Sequence, residues 1–345
     1  MNAKLKRICI TPRVSGVGGM VSFSAKLSAG LAARGIQETY DLADRPYEAV
    51  LVIGGTRQLV GLRRAQRHGL PIVQRLDGMN WLHRRTRSGP RHWLRAELAN
   101  WLLAYIRERL ATRVVYQSRF VQEWWQRTNG VGPGKHTVIY NGVDLEQFSP
   151  RGEGTVPQDR IRVLMVEGSL QGGYELGMQS AVRLAEALQA ELGKNVELAV
   201  AGKADEALKS KWAQTSRVPI EWLGVVPNEH IPALNRGAHF LFSADLNAAC
   251  PNSVIEALAC GLPVLAFDTG ALSELVTPEA GRVVAYGGDP WKLDPPNIQG
   301  LGSGAIEIIK AQAAFRRGSR ARAEAAFGLD TMVDAYIQAL GGANG

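Results

Sequence analysis

The sequence predicts an α/β protein built from two doubly wound parallel-sheet domains. Three observations carry this. Short apolar runs alternate with helical stretches along the whole chain, which is the pattern of βαβ units. Residues 151–160, RGEGTVPQDR, are polar, bear Gly and Pro and lack any period, so they read as a linker dividing the alternation into halves. The stretch Pro251–Leu275, PNSVIEALACGLPVLAFDTGALSEL, reads as helix, tight turn, buried strand, glycine turn and second helix.

Composition bounds what the chain can be. Its 345 residues hold two ordinary domains, and 46% hydrophobic with 21% charged residues is a globular balance. No segment approaches the roughly 18 uninterrupted apolar residues of a membrane span. The opening MNAKLKRICIT has too short an apolar run for a signal peptide and reads as a first strand. Three cysteines, Cys9, Cys250 and Cys260, have no metal-like spacing; this argues against a disulfide framework or a zinc site, and fits a reducing cytoplasm. The net charge of +8 is concentrated: Arg63–Arg113 holds twelve arginines against Asp77, Glu97 and Glu108. A patch of this kind expects an anionic partner.

In chain order, Arg7–Thr11 is a buried strand. It leads into a loop containing Arg13 and Gly16-Val17-Gly18-Gly19, then a helix from about Met20 to Arg34. A strand, glycine turn and helix brings backbone N–H groups against a phosphate, although most such loops are only tight turns. The spacing is not that of a dinucleotide fingerprint. Ala49–Ile53 and Pro71–Gln74 are the next strands, with a basic helix, Arg57–His68, between them. The second strand runs into Arg75-Leu76-Asp77-Gly78, at the sheet edge where open α/β folds place ligands. Asp77 and Arg75 read either as acceptor-binding groups or as an Asp-Gly turn with a local ion pair. From Trp93 to Leu110 the apolar residues form one helical stripe beside arginines. That suits an interfacial helix or one packed on its own domain; nucleic acid lacks any accompanying motif. A strand over Arg113–Ser118 and another over His136–Tyr140 complete the first half, the latter entering the turn at Asn141-Gly142.

The second half starts with strand Arg162–Val166 and the loop Glu167-Gly168-Ser169. Val196–Ala201, followed by Gly202-Lys203, then Ile220–Leu223 and His239–Ser243 are further strands. Pro251 suits a helix start, and Val254, Ile255 and Leu258 form an inward face. Glu256, on this otherwise apolar helix, reads equally as a first-turn glutamate or as a ligand-binding group. Helices are expected over roughly Gly302–Arg317, Arg320–Phe327 and Asp330–Leu340.

Pro251 through Gly261-Leu262-Pro263 to Gly270 and Glu274 resembles the donor-site signature of glycosyltransferase family 4, retaining enzymes of the two-domain GT-B fold. VIYNGVDLEQFSP, Val138–Pro150, resembles the segment where these proteins leave their first domain. The resemblance implies two Rossmann-like domains facing a cleft: an acceptor-side domain (1–150), the linker 151–160, a donor domain (161–328), and a last helix (329–345) returning to the first domain. It implies that Glu256 hydrogen-bonds the nucleotide ribose. Gly18 and Gly19, with Gly168, Ser169, Asn252 and Ser253, would meet the donor diphosphate. It also implies Asp77, Arg75, Arg13 and Asn141 on the acceptor side, with Asp77 and Glu256 as the catalytic pair.

Three departures from the family pattern stand out. The family's usual Arg and Lys after the second domain's first strand are missing from Glu167–Val182. The matching positions fall among Gly168, Ser169 and Gly173, so cationic help is expected from Lys203 or Arg13. Ala248 stands where a second Glu is usual, with Asp245 and Asn247 near enough in sequence to substitute. Pro251 replaces a Gly. The implied activity is retaining, metal-independent transfer from a nucleotide sugar, UDP-linked by family habit, to a glycan or lipid-linked acceptor of the cell envelope. No resident cofactor is expected. The protein would be cytoplasmic, with possible attachment to an anionic membrane surface through Arg84–Arg113. The alternative is a GT-B homologue that kept the fold, lost turnover and acts as a binding or scaffold subunit.

Overall fold

The computed structural model describes residues 5–16, 18–86, 89–170 and 175–341. The elements in order are β1 (Arg7–Thr11), α1 (Gly19–Ala33), β2 (Gln37–Thr39), β3 (Ala49–Ile53), α2 (Leu59–Arg67), β4 (Ile72–Leu76), α3 (Pro90–Arg109), β5 (Arg113–Tyr116), α4 (Arg119–Asn129) and β6 (Lys135–Val138). They continue with β7 (Ile161–Ser169), α5 (Glu175–Leu192), β8 (Val196–Lys203), α6 (Glu206–Thr215), β9 (Ile220–Gly224), α7 (Ile231–Arg236), β10 (Phe240–Ser243), α8 (Asn252–Ala259), β11 (Val264–Phe267), α9 (Leu272–Leu275) and β12 (Gly281–Val284). Three helices end the chain: α10 (Ile298–Lys310), α11 (Gln312–Ala326) and α12 (Leu329–Leu340).

The chain forms two compact units, residues 1–142 with 329–345, and residues 143–328. The first holds a six-stranded parallel sheet in the order β2-β1-β3-β4-β5-β6; the second holds another, β12-β11-β10-β7-β8-β9. Strands such as AVLVI and VLAF are buried along their whole length, as parallel strands covered on both faces must be. This is the two-domain α/β architecture the sequence predicts.

The division falls at Gly142 rather than at 150. Residues 143–160 belong to the second unit, where Val143 donates to the Phe327 carbonyl at 2.8 Å and bridges Gly328. α12 belongs to the first unit. Gly30 of α1 lies so close to Val333 that a Cβ there would overlap it, Phe23 and Tyr336 rings sit 5.0 Å apart, and Arg34 pairs with Asp334 at 2.7 Å. The polar three-residue edge strand β2 escapes sequence detection because it is too short to show alternation. The expected break at Gly318 is also displaced. α11 runs through it, and the glycine serves instead to let the helix backbone reach the Glu279 carbonyl.

Candidate functional site

In the second unit the carboxyl ends of β7, β10 and β11 and the start of α8 converge, since these strands are sheet neighbours. Pro251 precedes α8 without any side-chain cap, so the first N–H groups of this helix, at Asn252 and Ser253, are open to an anion. Both residues are half-buried. Glu256, one turn further on, is only 5% exposed. A glutamate held this deep on a helix is not the solvated first-turn residue; of the two readings, the structure keeps the buried polar group.

The segment before α8 is held by backbone contacts. Asn247 is left-handed (φ 56), its N–H reaches Thr269 Oγ1 at 3.4 Å, and the Ala271 N–H donates to the Ala248 carbonyl at 2.9 Å. Gly270 (φ 63) faces this segment so closely that a Cβ would overlap the Ala248 backbone nitrogen. Ala248 itself is buried, so no carboxylate stands at that position. Two lie nearby. Glu167, near the end of β7 where a bulge interrupts pairing with β8, accepts from the Ala244 N–H and feels the charge of Asp245 just beyond β10. Burial pushes both carboxyls above the ordinary range, and Asp245 pushes Glu167 further. Sequence reading names Asp245 as a substitute and misses Glu167. The two are distant in sequence and meet only through the β7–β10 pairing. Ser243 Oγ and Asn247 Nδ2, both deeply buried, have no hydrogen-bond partner among the described residues.

Gly168 is exposed with open space around it, and Ser169 pairs with Lys203 across β7 and β8. The Lys203 side chain is exposed, and its carbonyl accepts from Leu170 at 3.0 Å. Gly173 lies outside the described residues.

In the first unit, Gly18 (φ 135) precedes α1 with no side-chain cap and Gly19 begins it, leaving an exposed helix start. Arg13 is exposed and stacks over Tyr40 at 5.2 Å. Asp77 is half-buried just past β4; burial raises its pKa and the Arg75 charge opposes that rise. Its carbonyl accepts from Trp125 Nε1 at 2.8 Å, and a Cβ at Gly78 would overlap the Trp124 ring. The Asp-Gly turn thus rests on two tryptophans. Arg75 and Asn141, both expected at the acceptor, are buried and bound to each other at 2.9 Å. Arg75 also lies over the Phe23 ring at 3.9 Å, and Asn141 donates to Gln117 at 3.3 Å. Both side chains are thus engaged inside the first unit rather than exposed to solvent.

Among the described residues no cluster of three or more His, Cys, Asp or Glu could hold a metal ion. Nor is any helix long and apolar enough to cross a membrane. The three cysteines are buried, and burial pushes the Cys9 thiol up to about 12 and Cys260 to about 11, so neither is a ready nucleophile.

Comparison with known proteins places both units. The family described as Glycosyltransferase Family 4 matches residues 55–147, and that described as Glycosyl transferases group 1 matches 162–293. D-inositol 3-phosphate glycosyltransferase 1 of Catenulispora acidiphila is 25% identical over 204 residues, 52% of this chain. That match spans about half of the relative's own length, 48%. Among solved structures, WaaG, a glycosyltransferase involved in lipopolysaccharide biosynthesis, superposes with a TM-score of 0.72 at 14% identity, covering 97% of this chain and 100% of that one. Anabaena HepE in complex with UDP and glucose gives 0.69 at 16% identity, covering 97% and 99%.

Proposed function

The chain is a glycosyltransferase family 4-like protein of the GT-B fold, and from that premise we propose that it transfers a sugar from a nucleotide-sugar donor bound in the second unit. The buried Glu256, one turn into an uncapped helix at the carboxyl edge of the sheet, is the observation that supports this best. Its carboxylate accepts the ribose hydroxyls. The open N–H groups of Asn252 and Ser253 receive the diphosphate, with Gly168 and Ser169 lining the loop opposite and Lys203 supplying the cation that Glu167–Val182 lacks. Charge developing on the departing diphosphate is met by prearranged dipoles and a cation.

Glu167 and Asp245 take up the sugar side. Burial and the neighbouring Asp245 charge hold the Glu167 carboxyl protonated up to about pH 8, so it donates a hydrogen bond to a sugar hydroxyl, while Asp245, raised only to about 6, accepts one. In this reading the pair compensates for Ala248. The reaction is metal-independent and retaining, the leaving phosphate itself taking the acceptor proton, so no side-chain nucleophile is needed. Asp77, on its tryptophan-backed turn, orients the acceptor hydroxyl, while Arg75 and Asn141 position that turn. The donor is uridine-linked, as in the HepE complex. The acceptor is a glycan or lipid-linked glycan of the cell envelope, and the protein works peripherally at the inner face of the membrane.

Incubating the full chain with radiolabelled UDP-, GDP- or ADP-sugars and envelope lipid and glycan fractions, in EDTA, tests the proposal. Label should enter one fraction with the donor's anomeric configuration kept. Tight nucleotide binding with no transfer to any fraction would replace it with the scaffold reading.

A further inference from the structure

We propose that Asn100 of α3 is a positioning residue of the transfer reaction: it fixes the loop that follows Asp77 and so keeps that carboxyl at the acceptor hydroxyl. The inference rests on the glycosyl transfer proposed above and adds a residue that no motif in the sequence marks.

Asn100 stands where a helix has little use for an asparagine. It lies inside α3, where this residue type is a poorer helix former than Leu or Ala. It is 8% exposed, whereas its apolar neighbours Leu98 and Trp101 are 57% and 59% exposed. At this level α3 turns a polar residue inward and leaves apolar ones outside. Further along, the usual order returns, with Ile106 buried in the core beside Leu62 of α2 and Leu110.

A buried side-chain amide needs partners for both its oxygen and its nitrogen. Asn100 finds them on Asn80, three residues past Asp77. Its Oδ1 accepts from the Asn80 backbone N–H at 2.9 Å and from Asn80 Nδ2 at 3.2 Å, and its Nδ2 donates to the Asn80 carbonyl at 2.9 Å. One side chain thus engages both backbone groups of a single residue, which fixes the place and the direction of the chain there.

α3 is in turn tied to the strand from which the loop departs. Gln74 of β4 donates to the Leu103 carbonyl at 3.2 Å and to the Gly54 carbonyl at 2.8 Å. Strand, loop and helix therefore form a closed circuit, and Asp77 lies on it, with Trp125 holding its carbonyl. A second tie secures the far end of the loop. Glu97, one turn before Asn100, accepts from Arg84 Nε and Nη2 at 2.6 and 2.8 Å and lies 2.8 Å from His83 Nε2. Arg84 and then His83 hold its carboxyl down at about 2, so the tie keeps its charge at any working pH.

Because Asn80 is exposed, water can replace Asn100 as its partner, so the contact contributes placement more than stability. Placement is what transfer between two bound molecules requires, and an error of about 1 Å can cost about 100-fold in rate.

The test is Asn100→Leu in the full chain, assayed with radiolabelled donor and the envelope fraction that accepts label. Leucine is a better helix former and suits a buried site, so the variant should still melt cooperatively. Its rate of transfer at saturating donor should fall about 10- to 100-fold, with donor KM and nucleotide affinity unchanged. Hydrogen exchange should quicken across residues 77–86 and not in α8. Asn80→Ala leaves the backbone contacts in place and should keep transfer within about twofold. Wild-type transfer by a folded Asn100→Leu, or unchanged exchange in the loop, would overturn the proposal. So would an equal loss in Asn80→Ala, which would put the Asn80 side chain on the acceptor itself. A raised donor KM would mark a general loosening of the fold and count against it too. If the wild type transfers no label, the glycosyl transfer proposed above fails, and the exchange measurement still decides whether Asn100 holds the loop.

Discussion

Each unit carries its own six-stranded parallel sheet, and the two hold their loops in different ways. In the second unit the glycines next to the site press against backbone: Gly270 on Ala248, and Gly202 of β8 on the Glu167 carbonyl. In the first unit Gly78 meets the Trp124 ring and Gly30 meets Val333, both side chains, whereas Gly142 meets the Leu329 backbone. A backbone contact cannot yield without moving the loop, whereas a side chain can turn. The Gly270 turn is thus held rigidly, and the Gly78 turn rests on a contact that can yield.

The largest test of that contrast is Gly270→Ala. The new Cβ would overlap backbone and adopt a left-handed φ, which should cost roughly 2–4 kcal/mol in a melting experiment and weaken nucleotide binding with it. Gly78→Ala meets only the edge of an indole, so about 1–2 kcal/mol is expected, with the nucleotide site untouched. Equal losses in the two variants would erase the distinction.

A third prediction concerns pH. Because the Glu167 pKa is raised in the folded protein, the stability linked to its proton is complete below the ordinary carboxylate range and is lost as pH rises through about 8. Glu167→Gln removes that dependence. The variant should melt higher than the wild type at alkaline pH, and no higher near pH 4. A constant difference across this window would mean that Glu167 is not held protonated. The smallest effect is expected at the surface. Arg34→Ala removes partly exposed pairs to Asp334 and Asp330 that anchor α12, and should cost less than about 1 kcal/mol.

Much of this was legible in the sequence, and the exceptions have physical causes. PNSVIEALACGLPVLAF announces helix, turn and strand because periodicity, a start-compatible proline and a terminating glycine agree within one short stretch. Glu256 stands out there because its neighbours are apolar. Arg75 reads as an acceptor-binding group or a local partner of Asp77 because its polarity is local information, while the Phe23 ring and Asn141 that it contacts come from distant parts of the chain. The Glu167–Asp245 pair was hidden for the same reason. In α3 the stripe was visible, but periodicity does not tell which half is covered; only the placement of α2 and the core decides that.

The most direct measurement is isothermal titration of UDP, GDP and ADP, in EDTA, into the wild type, Glu256→Ala and the isosteric Glu256→Gln. The account predicts micromolar binding of UDP that both variants weaken about tenfold to a hundredfold, the scale of lost hydrogen bonds to a charged group. Melting curves separate that loss from unfolding. Wild-type affinity in a folded Glu256→Gln, or no binding of any nucleotide by the wild type, would contradict the donor site described for the second unit.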